Sequence, residues 1–202
     1  MKTFLYGASG HAKVIIEILE NNNIDIAGLF DDNRNIKELI DYKCFGELDL
    51  AILENNELIV SIGDNKIRKQ IVEKYPQVNY GIAIDKSANI SRRASIDKGT
   101  VIMQGVSINS SVNIGKHCII NTNTSIDHDC KIGDFVHISP NVALAGNIQI
   151  EKGTHIGTGV NIIPNLKIGK YCIIGAGAVI INDIPDYSVV VGNPGKIIKK
   201  NI

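Results

Sequence analysis

Residues 114–138 read IGKHCIINTNTSIDHDCKIGDFVHI, with isoleucine at every sixth position: Ile114, Ile120, Ile126, Ile132 and Ile138. Followed outward, the count runs back through Ile108, Ile102, Ile96 and Ile90 to Ile84. It runs forward through Leu144, Ile150, Ile156, Ile162, Ile168 and Ile174 to Ile180. That is 17 consecutive positions, 16 of them isoleucine, without an insertion. Neither a helix period of 3.6 nor a strand period of 2 produces this spacing, which belongs to a repeat architecture. Four residues after each Ile comes a small or medium side chain, as in Cys118, Thr124, Cys130, Val136 and Val142. Directly after the Ile stand Asp97, Asn109, Gly115, Asn121, Asp127, Gly133, Gly157, Gly169 and Gly175. These residue types take positive φ cheaply, so this phase is expected to form a corner.

A short strand and a corner every six residues, three per revolution, predict a triangular parallel β-helix. Seventeen hexads give about 5.7 coils, and at about 4.8 Å between stacked strands a prism about 27 Å tall. Its interior is a ladder of stacked isoleucine, which accounts for a core in a chain with no Trp and four Phe. Cys118, Cys130 and Cys172 share the inward small-residue phase. They are expected to be reduced core packing, out of reach of any substrate, and Cys44 has no partner motif.

The first eighty residues follow another pattern. Thr3 to Tyr6 reads as a strand, then Gly7-Ala8-Ser9-Gly10-His11, then an amphipathic helix from Ala12 to Leu19. A second strand, Ile26 to Phe30, ends in Asp31-Asp32. A third, Leu58 to Ile62, ends in Gly63-Asp64-Asn65, and a helix with Ile67, Ile71 and Val72 on one face follows. Strand, Gly turn, helix, strand and acid make a half-sized Rossmann unit, with ligands expected at the carboxyl ends of its strands. The glycines admit a phosphate, the helix amino terminus favours its charge, and the acids suit ribose or base hydrogens. Gly7-x-x-Gly10 replaces the Gly-x-Gly pair of the dinucleotide fingerprint, and half a dinucleotide fold suits a mononucleotide better than NAD. The division is therefore residues 1–80, α/β, and residues 81–202, β-helix with a C-terminal cap.

The 202 residues carry 21 Lys plus Arg against 21 Asp plus Glu, so no cationic excess exists to release counterions from a nucleic acid. The longest mostly apolar run, Cys172 to Ile181, falls well short of the roughly 20 residues that span a bilayer. No signal-peptide core opens the chain, and a cytoplasmic location is expected.

Five histidines are candidates for chemistry: His11, His117, His128, His137 and His155. His11 belongs to the Gly turn, and His117 is expected on the outer surface, solvated. His137 and His155, 18 residues apart, should stack on one wall. His128 lies in Ile126-Asp127-His128-Asp129, where flanking carboxylates raise its basicity, as suits a general base.

A Gly-turn nucleotide domain followed by hexapeptide repeats resembles the NeuD/PglD-type sugar acetyltransferases over nearly the whole chain. The likeness is strongest to the N-acetyltransferases of UDP-4-amino sugars, as in bacillosamine biosynthesis. The resemblance implies the left hand of the β-helix and a homotrimer. In that family the base is a His followed by Glu before a hydrophobic-Gly corner. Here the motif reads His128-Asp129-Cys130-Lys131-Ile132-Gly133, making His128 the base and Asp129, one methylene shorter, its polarising carboxylate. Acetyl-CoA contacts fall on His137, Thr158 and Ala176, and nucleotide-sugar contacts on Ser9, Gly10, His11, Asp31, Asp32 and Gly63. The tail Val190-Val191-Gly192-Asn193-Pro194-Gly195-Lys196 resembles an ending common in hexapeptide acyltransferases.

The resemblance thus implies transfer of acetyl from acetyl-CoA to the 4-amino group of a nucleotide-linked 4-amino-4,6-dideoxy sugar, most simply a UDP sugar. The amine must lose a proton to attack the thioester, and His128 can take it. Thr158 and Ala176 share one corner of the prism, whereas His128, five hexads before Thr158, lies at another. The active site is therefore expected between neighbouring subunits. Sialic acid O-acetylation and N-acetylation of a GDP- or dTDP-linked amino sugar remain alternatives within the fold. A metal hydratase like the γ-type carbonic anhydrases fits less well, because the histidines' hexad phases do not converge as ligands. No metal is expected. A non-catalytic nucleotide-sensing scaffold is the remaining alternative.

Overall fold

The computed structural model describes residues 1–201. Strand β1 (Thr3–Tyr6) leads through the Gly turn into helix α1 (Gly10–Asn21), and β2 (Ile26–Phe30) follows. A small antiparallel hairpin of β3 (Glu38–Leu39) and β4 (Tyr42–Lys43) precedes β5 (Glu57–Val60) and helix α2 (Asn65–Lys74). β1 lies at the centre of a three-stranded parallel sheet between β2 and β5. Helix α2 differs from the expected face: Ile67 is 47% exposed, and the buried side chains are Arg68 and Ile71. Asp64 caps this helix, its Oδ1 accepting from Ile67 N–H at 2.8 Å.

From Ala83 onward the chain winds as a triangular prism. The first face stacks Ala83–Ile84, Val101–Ile102, Ile119–Ile120, His137–Ile138, His155–Ile156 and Ile173–Ile174. The second runs from Asn89–Ile90 to Val179–Ile180, the third from Ser95–Ile96 to Lys167–Ile168. All rungs pair in parallel with an 18-residue register, such as Ile108 with Ile126 and Ile126 with Leu144. The hexad isoleucines and the residues four places on form one buried cluster, with Cys118, Cys130 and Cys172 inside it as free thiols. Each of the three thiols donates to a backbone carbonyl of a neighbouring coil, for example Cys118 Sγ to Gly133 O at 3.1 Å. Burial pushes the Cys118 thiol up to about 12. At the base, Ser188–Val191 adds to the first face and pairs antiparallel with Lys196–Lys200, closing the prism.

The corner chemistry differs from the expected one. Positive φ falls three residues after the Ile in every hexad from Ile96 to Ile174, including Ser111, His117, Asn123, Asp129, Phe135 and Tyr171. There the amide turns along the prism axis and donates to the preceding coil, as Asp129 N–H does to Ser110 O at 3.1 Å. The glycine directly after the Ile lies outside the left-handed region and answers to crowding instead. A Cβ on Gly157 would stand 2.7 Å from Ala176 N and from Ile174 O, backbone that cannot yield.

The α/β domain docks on the first face. Ile15, Ile16, Ile18 and Leu19 of α1 pack with the outward side chains of Ala83, Val101 and Ile119. Burying each larger aliphatic contributes about 1.5–3 kcal/mol. Further down the same outward column the residues become His137 and His155, then the exposed Ile173.

Candidate active site

Three clusters emerge, held by different parts of the scaffold. The first is the corner between the second and third faces. His128 is exposed there, and its Nδ1 lies 2.7 Å from Asp129 Oδ2. A carboxylate only accepts, so Nδ1 carries the proton and Nε2 is left with its lone pair. The hydrogen bond to Asp129, then the charge of Asp127, hold the imidazole above its ordinary pKa. Asp127 is itself fixed: its Oδ1 accepts from Asn109 Nδ2 and from the His128 amide, both at 2.8 Å. Those bonds hold its carboxyl below the usual range. Asp129, despite its shorter arm, reaches the imidazole from a left-handed backbone position, φ 63°. Gly146, one coil on, lies directly against the ring: a Cβ there would be 2.7 Å from Cε1 and Nε2. Gly146 was not among the expected site residues, although its 18-residue offset from His128 marks it in the sequence.

The second cluster lies on the first face, beneath the α/β domain. His137 and His155 stack with ring centroids 4.6 Å apart and planes 7° from parallel, as their spacing predicts. His137 Nδ1 donates to the carbonyl of Gly63 at 3.2 Å, so the β-helix face and the loop after β5 touch at this point. Asn121 Nδ2 faces Nε2 of the same ring at 3.5 Å, and Ser139 Oγ lies 2.9 Å from His155 Nε2. Burial, then His155 and Arg68, push His137 down to about 3; burial and Arg68 also lower His155. Both rings are neutral at pH 7. Thr158 and Ala176 are exposed at the next corner, between the first and second faces, stacked one coil apart. His128 is at a different corner of the same chain.

The third cluster is at the carboxyl edge of the α/β sheet. A cleft of about 300 Å³ is lined by Tyr6, Asp31, Asp32, Ile62, Ile67, Gln70, Ile71 and Lys74. Asp31 is largely committed to the fold, accepting from Ala8 N–H and Asn33 N–H at 2.8 Å each. Asp32 is exposed and accepts from Tyr6 Oη at 2.7 Å. Ser9 begins α1 without a side-chain cap, so its hydroxyl and the amides of Gly10 and His11 stay open, while Ala12 N–H donates to Ser9 O at 3.1 Å. Neither Gly10 nor Gly63 takes positive φ, and a Cβ on either would meet nothing within 4 Å. The fold does not require glycine at these two places, which is consistent with close approach of a ligand. His11 is mostly buried, its Nε2 without a partner, and burial with Arg68 lowers it to about 4.

His117 departs from the expected solvated surface. It is 3% exposed, stacked on Phe135 at 5.1 Å and edge-on to Tyr80 at 4.7 Å. The α/β domain covers this corner, which the hexad phase alone does not reveal. Among the described residues, no group of three or more His, Cys, Asp or Glu is arranged to hold a metal ion. Among them, too, no helix is long and apolar enough to cross a membrane.

A family model for the PglD N-terminal domain matches residues 2–75, and one for bacterial transferase hexapeptide (six repeats) matches residues 147–182. A variant of perosamine N-acetyltransferase from Caulobacter crescentus, solved with CoA and GDP-perosamine, is 33% identical. The match covers 99% of this chain and 98% of that one, with a TM-score of 0.93. The acetyltransferase domain of PglB from Neisseria gonorrhoeae, solved with acetyl coenzyme A, is 32% identical over 98% of each chain, with a TM-score of 0.89. Uncharacterized protein L142 of Acanthamoeba polyphaga mimivirus is 34% identical over 96 residues, which is 47% of this chain. The match spans about a fifth of that relative's length, 20%.

Proposed function

Because the chain belongs to the PglD/NeuD-type sugar N-acetyltransferases, which draw their acetyl group from acetyl-CoA, we propose that it acetylates the 4-amino group of a nucleotide-linked 4-amino-4,6-dideoxy sugar. The observation that carries this reading is the His128–Asp129 pair, whose Nδ1–H···Oδ2 bond leaves Nε2 as an acceptor at an exposed corner. The acceptor amine attacks the thioester carbonyl, the C–N bond forms and the C–S bond breaks. His128 Nε2 takes the proton the amine must lose and can return it to the departing thiolate. The three buried thiols inside the prism stay out of the reaction, so transfer is direct. The nucleotide occupies the cleft at Asp32, with its phosphates toward Ser9, Gly10 and His11 and the sugar directed past Gly63. His137, Thr158 and Ala176 hold acetyl-CoA, the neutral Nε2 of His137 accepting from an amide of the pantetheine arm.

His128 and the Thr158–Ala176 corner lie at different edges of one prism. The complete site therefore forms between neighbouring chains of a homotrimer, base from one and donor site from the next. A UDP-linked, bacillosamine-type acceptor is the first choice. A GDP-linked amino sugar is the second reading, favoured by the GDP-perosamine complex of a relative that matches over almost its full length. The test is release of free CoA from acetyl-CoA across UDP-, dTDP- and GDP-linked 4-amino-4,6-dideoxy sugars and free sialic acid. Turnover on one nucleotide amino sugar, abolished in His128→Ala, supports the reading. Turnover on sialic acid alone, or on none of them, refutes it.

A further inference from the structure

Arg68 is the largest fully buried side chain of the molecule's described residues, 1% exposed, and no carboxylate contacts it. Its five N–H donors meet five neutral oxygens. Nη1 donates to the carbonyls of Ile62 and Gly63 at 3.0 and 3.2 Å, and Nη2 to Asn65 Oδ1 at 2.7 Å, all within the α/β domain. Nε donates to His117 O at 2.9 Å and Nη2 to Phe135 O at 3.2 Å, both on the β-helix. The two β-helix oxygens are available for a structural reason. Coil stacking uses the carbonyls of Lys116, Cys118 and Ile120 and leaves that of the left-handed residue between them, His117, pointing outward. Burial lowers the Arg68 pKa to about 10, so the group remains charged at neutral pH.

A buried cation with no anionic partner is costly, and a hydrophobic side chain would join two domains at less expense. What only a guanidinium supplies is a rigid planar fork spanning two backbones. One of its acceptors has a second donor: Gly63 O receives both Arg68 Nη1 and His137 Nδ1, each at 3.2 Å. The carbonyl that Arg68 holds is therefore the one that accepts from His137 Nδ1–H, and together with Asn121 Nδ2, which faces Nε2 at 3.5 Å, it sets the tautomer of that ring.

We propose that Arg68 is a positioning residue that holds the Gly63 loop against His137, keeping the nucleotide-sugar and acetyl-CoA sites in register and His137 in its Nδ1–H form. This rests on the assignment of Gly63 and His137 to those sites under the proposed function. Lysine in its place keeps the charge but has three donors on a point charge, too few for the five oxygens that the guanidinium fork reaches. Arg68→Lys is expected to raise KM for acetyl-CoA and for the nucleotide sugar about tenfold each. The acid limb of kcat, set by His128, stays where it is.

The deciding measurement is the 15N spectrum of histidine-labelled, ligand-free protein, with His137 assigned by its loss in His137→Gln. In the parent protein His137 gives the pattern of an imidazole protonated at Nδ1, and in Arg68→Lys it gives a tautomer mixture. Asn65→Ala, which removes one guanidinium acceptor and the bonds from Asn65 Nδ2 to Gly153 O and Thr154 O, shifts the same signal in the same direction and serves if Arg68→Lys does not fold. An unchanged tautomer and unchanged KM values in a folded variant overturn the proposal. Loss of folding cooperativity with an unchanged tautomer reduces Arg68 to a domain clamp and overturns it too. Failure of the parent protein to acetylate any amino sugar defeats the functional reading instead, while the spectrum still decides the role of Arg68.

Discussion

His128 and Gly146 are packed one coil apart, so close that a single methyl group on Gly146 would stand 2.7 Å from the imidazole's Nε2 and Cε1. Nothing in the backbone conformation of Gly146 demands glycine, since it lies outside the left-handed region. Its small size serves the ring above it. Gly146→Ala should therefore fold normally yet displace His128, the proposed base. An offset near 1 Å at a reacting group costs about a hundredfold in rate. The expected result is a drop of that order in kcat with KM for acetyl-CoA nearly constant. Steady-state kinetics on the preferred acceptor would show it, and an unaltered kcat would mean the ring position is not critical.

With His128 as the base, as proposed, the Asp129 bond sets the pH at which it works. A general base must be unprotonated, so activity falls as pH drops through the His128 pKa, which Asp129 and then Asp127 raise. Asp129→Asn removes the largest contribution. The acid limb of kcat/KM should move to lower pH, while the plateau falls because the imidazole is less basic and less well oriented. Asp127→Asn should shift the limb the same way by less, with the plateau nearly intact. A limb that does not move in Asp129→Asn would remove His128 as the titrating base.

The prism was legible because the isoleucine period is a direct imprint of which positions point inward, and no insertion interrupts it. The pair His137–His155 was legible for the same reason: 18 residues is one coil. His117 was not legible. Its phase points it away from the prism interior, and only the docking of α2 and Tyr80 onto that corner buries it. Arg68 was hidden behind Ile67 in the same way. Hydrophobicity placed Ile67 inside, but the free carbonyls of left-handed corners create a demand for donors that no apolar pattern records. The position of positive φ was missed because glycine served two purposes, close approach after the Ile and φ two residues later.

Acid should loosen the junction between the domains. His11 and His117 are held near 4 and His137 near 3, and His155 is lowered as well, all first by burial. In the unfolded chain each titrates near 6.5. Below that value the unfolded state binds protons that the folded state refuses, so stability is full above about pH 6.5 and declines as pH falls toward 4. Each such group adds a slope of up to about 1.4 kcal/mol per pH unit. His117→Phe keeps the ring stack on Phe135 and removes one titrating group with its unpartnered Nδ1. Its chemical-denaturation stability should fall less steeply between pH 6.5 and 4.5 than that of the parent protein. Equal slopes would show that His117 does not contribute.

The proposed division of the site between prism corners of a homotrimer has its own consequence. In any one chain His128 follows the strand Ser125–Ile126 of the second face, whereas Thr158 and Ala176 follow strands of the first. If the base of one subunit serves acetyl-CoA held by its neighbour, His128→Ala and His137→Ala chains are each inactive alone but complementary together. Random mixed trimers contain interfaces that combine an intact His128 from one chain with an intact His137 from the next. Co-refolded or co-expressed mixtures, separated by distinct affinity tags, should regain a clear fraction of parent activity, while mixing already assembled homotrimers should regain none. Mixed trimers verified by mass that remain silent would place base and donor site within one chain and require a path for the acyl group around the prism edge.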